Sequence, residues 1–125
     1  GDDVVVAGFQ LDTLHGGDGT DQLTLDYSGV SAGGLTATGL YLRLDTDGGY
    51  SSQREHIYLS DDSTTQTYFQ GFEVFAITGS SGDDRITTRE GDDHLIGGAG
   101  HDDLSAGAGD DRLSGGAGND TLRGG

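Results

Sequence analysis

The chain lacks several residue types, and each absence narrows the classes of protein to which it can belong. It has no cysteine, so it has neither a disulfide framework nor a thiolate zinc site. It has no lysine, which excludes a P-loop and a Schiff-base lysine. No run of about 18 apolar residues occurs, and the N-terminal GDDVVVAG lacks the basic region and long apolar stretch of a signal peptide. We therefore expect no membrane insertion.

Positive charge is scarce as well. Six arginines stand against 22 aspartates and glutamates, which gives a net charge of -16, and only 31% of the residues are hydrophobic. This composition is typical of chains that do not fold unaided. Nucleic acids and anionic membranes are bound mainly through Lys and Arg, so we expect neither as a partner. The carboxylates need solvent or a bound cation as counter-charge.

What the chain has is glycine and a repeat. From Gly79 it divides into five contiguous nonapeptides: GSSGDDRIT, TREGDDHLI, GGAGHDDLS, AGAGDDRLS and GGAGNDTLR. Each has Gly fourth, Asp sixth and Ile or Leu eighth. Near the N-terminus, GGDGTDQLT fills residues 16–24, a degenerate AGFQLDTLH fills 7–15, and GDDVVV supplies positions four to nine of a further unit.

The repeat predicts a coil of two units. The last three residues of each unit form a short strand whose central side chain points inward, because side chains alternate across a strand. The first six residues turn the chain, with glycine supplying the positive φ that such turns need. Two units make one coil of 18 residues, and successive coils stack about 4.8 Å apart. The predicted core column is Val5, Leu14, Leu23, Ile86, Leu95, Leu104, Leu113 and Leu122.

In this coil, aspartates that are 18 residues apart in the sequence become neighbours in space. Like charges within about 4–6 Å of each other disfavour ionisation. The free energy gained by burying one apolar residue per unit does not offset the entropy lost when the backbone of nine residues is ordered. A divalent cation between stacked turns would neutralise the carboxylates. Calcium fits best, because it takes 6–8 oxygen ligands, including backbone carbonyls, in flexible geometry, whereas magnesium is stricter and zinc prefers nitrogen or sulfur. We expect a chain that is largely unfolded without calcium.

The motif G-G-x-G-x-D-x-U-x, with U a large apolar residue, resembles the RTX (hemolysin-type) calcium-binding repeat family. The resemblance implies an all-β fold, a right-handed parallel β-roll. It also implies that each calcium lies between turns of alternate repeats. One turn supplies the carbonyls of positions two and four and the Asp at six, and the other supplies the carbonyls of one and three and its own Asp.

Carried over by position, the resemblance implies four candidate sites and about three to five calcium ions. The first joins Gly98, Gly100 and Asp102 to Gly115, Ala117 and Asp120. The second joins Ser80, Gly82 and Asp84 to Gly97, Ala99 and Asp102. The third joins Arg89, Gly91 and Asp93 to Ala106, Ala108 and Asp111. The fourth, whose first turn is truncated, joins Gly1 and Asp3 to Gly16, Asp18 and Asp21.

Three of these positions depart from the motif. Ser80, Arg89 and Ala106 stand where the repeat has glycine. A left-handed backbone costs such residues about 1–2 kcal/mol, so we expect strain at these turns. Their carbonyls remain available as ligands.

Residues 25–78 contain no repeat, so we divide the chain into N-terminal repeats (1–24), a non-repeat segment (25–78) and C-terminal repeats (79–125). Alternating leucines in GLYLRLDT predict a strand, DGG at 47–49 a hairpin turn, and HIYLS and QTYFQGFEVFAIT further strands separated by the polar DDSTT. The 54 residues equal six nonapeptides, which allows Leu59, Tyr68 and Ile77 to face inward in wider, calcium-free coils. We favour an all-β insertion contiguous with the roll.

The expected function is that of a non-enzymatic, calcium-binding module of a larger bacterial protein, secreted or on the cell surface. By resemblance, such repeats pass a type I secretion channel unfolded and fold outside, where calcium is plentiful. GVSAG at 29–33 matches G-x-S-x-G, but no helical pattern follows Ser31, so a hydrolase is rejected.

Two alternatives stay open at this stage. The segment 25–78 is a candidate adhesin or carbohydrate- or protein-binding surface, because exposed aromatics such as Tyr41, Tyr50, Tyr58 and Tyr68 stack on sugars. Alternatively, the chain is the non-catalytic part of a secreted protease, lipase or epimerase.

Overall fold

The computed structural model describes residues 1–7, 13–29, 40–43, 55–59 and 62–125. These residues form β-strands and no helix, and none of their segments is a helix that could cross a membrane. The strands are β1 Val4–Ala7, β2 Thr13–His15, β3 Gln22–Asp26, β4 Leu40–Arg43, β5 Glu55–Leu59, β6 Asp62–Gln70, β7 Val74–Thr78, β8 Arg85–Thr87, β9 His94–Ala99, β10 Asp103–Ser105, β11 Arg112–Ala117 and β12 Thr121–Arg123.

The strands belong to two sheets between which the repeat chain alternates. The first sheet has the order β1-β3-β7-β9-β11 and is parallel throughout. The second has the order β12-β10-β8-β4-β5-β6-β2. Together they form a β-solenoid of about four turns. The predicted β-roll is therefore confirmed.

The register of the repeats follows the predicted coil of 18 residues. Leu95 pairs with Leu113 in the first sheet, and in the second sheet Leu104 pairs with Ile86 on one side and with Leu122 on the other. Equivalent positions therefore stack directly, because each strand meets the same part of the next coil. Every turn between these strands lies over another turn.

The core contains inward residues of both sheets. Leu23, Ile86, Leu95 and Leu104 are fully buried, as the eighth-position column predicts. Val5, Leu14 and Leu113 are half-buried and pack against this cluster, whereas Leu122 in the last coil is 46% exposed. The non-repeat strand β7 adds Phe75 and Ile77, both buried. The column is thus well covered in its middle and open at its C-terminal end.

Three described strands of residues 25–78, β4, β5 and β6, extend the second sheet, whereas β7 belongs to the first. β4 pairs with β8 in parallel and with β5 in antiparallel orientation. β5 also pairs antiparallel with β6, and β6 in turn pairs parallel with β2. The described strands β4, β5 and β6 therefore form an antiparallel meander within the second sheet rather than a series of wider coils. The predicted turn at 47–49 and Ser31 lie outside the described residues, as do the side chains of Leu59 and Tyr68.

Two details of the sequence interpretation are wrong here. DDSTT does not separate strands, because β6 begins at Asp62 and continues to Gln70; its threonines are β-branched and suit a strand despite their polarity. QTYFQGFEVFAIT is not one strand either. A turn at Gly71, which has a φ of 70°, divides it into β6 and β7.

The register shifts by two residues at β7. Leu23 pairs with Phe75 and Leu25 with Ile77 on one side, while Ile77 pairs with Leu95 on the other. The count of six nonapeptides would instead align Leu23 with Ile77. A shift of two residues keeps every side chain on its own face, because side chains alternate with a period of two. Ile77 consequently remains inward.

The expected backbone strain at the glycine substitutions is wrong as well. No described residue other than glycine has a positive φ, so Ser80, Arg89 and Ala106 avoid the left-handed region. Positive φ occurs instead at second- and fourth-position glycines such as Gly98 (119°) and Gly100 (121°). The first position, which Ala106 occupies, needs no left-handed residue at all.

The burial gradient along the column predicts unequal mutational effects. In the calcium-saturated chain, Leu104→Ala should lower the free energy of unfolding by about 2–5 kcal/mol, because it leaves a cavity in the middle of the core. Leu122→Ala should change it by less than about 1 kcal/mol, because Leu122 is already half in solvent. Urea denaturation monitored by circular dichroism measures both. Equal losses would show that the column is not closed in its middle.

Candidate metal centre

The turns that join the strands of the roll form two stacks along its edges. The first turn stack comprises turns that lead into the first sheet: 1–3, 16–21, 71–73, 88–93 and 106–111. The second turn stack comprises the turns that lead into β8, β10 and β12 of the second sheet, which are residues 79–84, 97–102 and 115–120. All four candidate sites join turns that are adjacent within one of these stacks.

Sixth-position carboxylates connect the turns. The backbone N–H of each sixth-position residue donates to a carboxylate oxygen of the residue one coil further along. The bonds are Asp3 N to Asp21 Oδ1 (2.8 Å), Phe75 N to Asp93 Oδ1 (2.8 Å), Asp93 N to Asp111 Oδ1 (3.0 Å), Asp84 N to Asp102 Oδ1 (2.8 Å) and Asp102 N to Asp120 Oδ1 (3.0 Å). We call this series the inner ladder. It requires an acceptor at position six, which explains the spacing of the aspartates.

The second oxygen of most ladder aspartates has no partner. Oδ2 of Asp21, Asp93, Asp102 and Asp111 is buried and accepts no hydrogen bond. The first three of these residues are at most 2% exposed. An unpaired buried carboxylate oxygen is strongly unfavourable, because it has lost its water without gaining a donor. These atoms fit a bound cation.

A backbone carbonyl of the next coil lies beside this oxygen. At Gly97, a Cβ would collide with both Asp102 Oδ2 and the Gly115 carbonyl oxygen. At Gly79, it would collide with Asp84 Oδ2 and the Gly97 carbonyl oxygen. At Gly79 and Gly97, a carboxylate oxygen and a carbonyl oxygen therefore both lie within 2.6 Å of the place that a Cβ would take, and oxygens of these two kinds are the ligands that calcium accepts.

The remaining ligands would have to be backbone carbonyls. In the described part of the chain, no three Asp, Glu, His or Cys side chains converge on a common point. Some assigned carbonyls also hold neighbouring turns together: Ser80, Arg89, Ala108 and Ala117 accept N–H bonds from Ala99, Ala108, Gly91 and Gly100 respectively. A carbonyl has two lone pairs, so such a bond leaves one for a cation.

The sequence comparison agrees with this geometry. The family model for the RTX calcium-binding nonapeptide repeat matches in four copies, over residues 1–26, 78–113 and 96–125. The chain belongs to the RTX calcium-binding repeat family. Neither a curated protein nor a solved structure matches it. The repeat is a structural, calcium-binding unit rather than a catalytic one.

The RTX turn that contains Ser80 differs from the others. Its hydroxyl donates to Asp84 Oδ1 (2.9 Å), and its backbone N–H donates to Asp84 Oδ2 (2.6 Å). The Gly82 N–H in turn donates to the Ser80 hydroxyl (3.1 Å). The carboxylate of Asp84 is therefore hydrogen-bonded within its own turn, so the site assigned to Asp84 and Asp102 has less need of a cation than its neighbour.

The other two RTX sites also show specific departures. In the site with Asp93 and Asp111, the Thr88 hydroxyl donates to the Ala106 carbonyl (2.9 Å), which is an assigned ligand. In the N-terminal site, Gly1 N donates to the Asp18 carbonyl (2.9 Å). The site that joins the turn of Gly98 and Gly100 to that of Gly115 has an orphaned Asp102 oxygen and no side-chain donor of this kind among the described contacts.

Burial changes the acidity of the ladder. It raises the pKa of Asp102 to about 6, and the negative charges of Asp84 and Asp120 add to the shift, although the bond from the Asp84 N–H opposes it. Burial likewise raises the pKa of Asp93, although hydrogen bonding by Thr88 and by the Phe75 N–H opposes the shift, and the negative charge of Asp111 adds a smaller contribution. The folded chain therefore binds a proton at Asp102 and Asp93 more readily than a free aspartate does.

Sequence reasoning missed a second ladder at position five. Fifth-position side chains accept the N–H of the fifth residue one coil further along: Asp2 from Thr20 (3.0 Å), Asp83 from His101 (2.8 Å), Asp92 from Asp110 (2.9 Å) and His101 Nδ1 from Asn119 (3.0 Å). These residues look like variable solvent positions in the repeat. The sequence feature that could have indicated their role is the recurrence of polar residues, namely Asp, Asn, His and Thr, at position five.

The raised pKa values predict a response to acid. Without calcium, the β-sheet content should increase as the pH falls from about 7 to about 5. In that range Asp102 takes up a proton in the folded chain, whereas in the unfolded chain its pKa is near 3.8, so the folded state binds more protons and is favoured by acid. Circular dichroism in calcium-free buffer measures the change.

Asp102→Asn provides the control, because it keeps the Oδ1 acceptor and has no proton to bind. Its β-sheet signal should depend less on pH over the same range. The assignment fails if the variant responds to acid as strongly as the wild-type chain.

Proposed function

We propose that calcium binding in the two turn stacks drives the folding of this module. The observation that carries the proposal is the row of buried, unpartnered Oδ2 atoms at Asp21, Asp93, Asp102 and Asp111. The inner ladder uses one oxygen of each carboxylate and leaves the other without a donor. A cation supplies the missing interaction at each of them, and the net charge of -16 makes the same ion a counter-charge.

Calcium is the cation that this donor set favours. The available ligands are carboxylate oxygens and backbone carbonyls, and the turns offer no nitrogen or sulfur ligand at position six. Calcium accepts six to eight such oxygens in irregular arrangements, whereas magnesium keeps several waters in a strict octahedron. The four ligand sets implied by the repeat, and a total of about three to five ions, are our working assignment.

We assign the strongest site to Asp102 and Asp120 with the carbonyls of Gly98, Gly100, Gly115 and Ala117. The orphaned Asp102 Oδ2 and the Gly115 carbonyl already lie on the same side of Gly97. The site with Asp84 is weaker, because Ser80 already donates two hydrogen bonds to that carboxylate.

The same chemistry supports a role in secretion. RTX repeat proteins are typically secreted by bacteria. A chain whose carboxylates repel each other until calcium binds stays unfolded where calcium is scarce and folds where it is abundant. We propose that residues 1–24 and 79–125 act in this way around the β insertion 25–78, as a structural and secretion-assisting module of a larger extracellular protein.

A calcium titration tests the central claim. The chain in chelator should give a largely disordered far-ultraviolet spectrum, and calcium should produce a cooperative change to β-sheet. An equal concentration of magnesium should produce a much smaller change, because its octahedral geometry does not fit the turns. A β-sheet spectrum that is already complete in chelator and does not respond to calcium would refute the proposal.

A pair of neighbouring aspartates tests the ligand assignment. Asp102→Asn should raise the calcium concentration at the folding midpoint at least about tenfold, because it removes a charged ligand and keeps the ladder acceptor. Asp83→Asn should raise it by less than about twofold, because Asp83 is an exposed fifth-position residue. Both midpoints come from titrations monitored by circular dichroism. Equal shifts would mean that position six is not the ligand position.

A further inference from the structure

The first turn stack contains one turn that is not a repeat. Residues 71–73, Gly-Phe-Glu, form a three-residue turn between β6 and β7. β6 pairs with β2 and β7 pairs with β3, so this turn lies directly over the repeat turn 16–21. The family match ends at residue 26 and resumes at 78, so no repeat motif assigns a metal ligand to this turn.

Glu73 takes the place of a sixth-position aspartate in the inner ladder. The Asp21 N–H donates to Glu73 Oε2 (2.9 Å), as the Asp3 N–H donates to Asp21 Oδ1 (2.8 Å) one coil earlier. The Val74 N–H donates to the Asp21 carbonyl (3.1 Å), as the Gln22 N–H does to the Asp3 carbonyl (2.8 Å). Turn 71–73 thus reproduces the backbone contacts of a repeat turn with half the residues.

An orphaned oxygen faces this turn. Asp21 is fully buried, and its Oδ2 has no hydrogen-bond partner. A Cβ on Gly16 would lie 2.8 Å from Asp21 Oδ2 and closer still to the Gly71 carbonyl oxygen. Asp21 Oδ1 bonds to the preceding coil, so Oδ2 is the oxygen directed at the Gly71 carbonyl.

The arrangement is that of the proposed repeat sites. There, the orphaned Oδ2 of Asp102 and the Gly115 carbonyl both crowd the first-position Gly97. Here, Asp21 Oδ2 and the Gly71 carbonyl crowd Gly16 in the same way. The second carboxylate, which the later aspartate supplies in a repeat site, is that of Glu73.

We propose that a calcium ion binds between turns 16–21 and 71–73, held by Asp21 Oδ2, the Gly71 carbonyl and the carboxylate of Glu73. This inference rests on the proposed function, because it extends the same cation chemistry to a turn outside the repeats. Glu73 has one methylene more than aspartate and reaches across from the shorter turn. It is exposed, so the ion enters from solvent.

The ion would connect the two blocks of repeats. Turn 16–21 belongs to the N-terminal repeats, and β7, which follows Glu73, pairs with β9 of the C-terminal repeats. Phe72 between the two ligands is buried and fixes the short turn to the core. Calcium binding at this point therefore couples the folding of the N-terminal coils to that of the remainder of the roll.

Glu73→Gln tests the site, with Glu90→Gln as its matched control. The glutamine oxygen still accepts the Asp21 N–H, so only the charge is removed. Glu90 is an exposed glutamate of the same turn stack whose side chain is not in any proposed site. Native mass spectrometry of the calcium-saturated chain should count one ion fewer for Glu73→Gln than for wild type or Glu90→Gln. The calcium concentration at the folding midpoint of Glu73→Gln should be at least about threefold that of the wild-type chain.

Equal ion counts and midpoints for Glu73→Gln and Glu90→Gln would overturn the site. Glu73→Ala separates a structural role from a ligand role, because it removes the hydrogen bond as well as the charge. If Glu73→Ala is destabilised and Glu73→Gln matches wild type, Glu73 is only a hydrogen-bond acceptor and the inference is wrong. A wild-type chain that binds no calcium would instead refute the proposed function itself.

Discussion

The hydrogen bond from each sixth-position N–H to the carboxylate one coil further along determines how the turns of this protein stack. It needs an acceptor that points along the solenoid axis, and aspartate supplies one with the shortest side chain. The same bond fixes the orientation of the carboxylate and buries its second oxygen, as at Asp93 and Asp102. The interaction that aligns the coils therefore leaves a buried carboxylate oxygen without a donor at Asp21, Asp93, Asp102 and Asp111. The fold and its need for a cation have one origin.

Ser80 shows what happens when the chain supplies its own donors. Its hydroxyl and its N–H both bond to Asp84, so that carboxylate has no orphaned oxygen among the described contacts. Asp102, one coil later, has a glycine at the second position of its turn and keeps its unpartnered Oδ2. Glycine at that position thus does more than permit a positive φ, because it also leaves the carboxylate without a side-chain donor from its own turn. A serine there gives a turn in which both carboxylate oxygens are already hydrogen-bonded.

The repeats made the fold and most of the ladder predictable, because a strict period assigns every residue a place in the coil. Leu104 could be placed in the core and Asp102 beside its neighbours from spacing alone. Spacing does not show which oxygen of Asp102 bonds to the next coil, nor that a Ser80 hydroxyl would saturate Asp84. The insertion has no sequence repeat, so neither the ends of its strands nor the role of Glu73 could be predicted from the sequence. Glu73 looks like any surface glutamate until β7 is paired with β3.

The two-residue shift at β7 has a consequence for how charge is distributed along the first turn stack. Relative to the coil before it, Glu73 occupies the sixth position, and its carboxylate accepts the Asp21 N–H. Relative to the coil after it, Phe75 occupies the sixth position, and its N–H donates to Asp93. Phe75 is buried against the core and has no carboxylate, so the hydrogen bond from Phe75 to Asp93 joins one carboxylate to a residue without one, whereas the bond from Asp93 to Asp111 joins two aspartates. At β7 the ladder thus has a buried apolar residue, Phe75, on the side of the later coil and a carboxylate, that of Glu73, on the side of the earlier coil. Counting Glu73, the stack keeps one ladder carboxylate per turn, but at the point where the insertion joins the roll the Asp93 carboxylate accepts its hydrogen bond from Phe75 rather than from an aspartate.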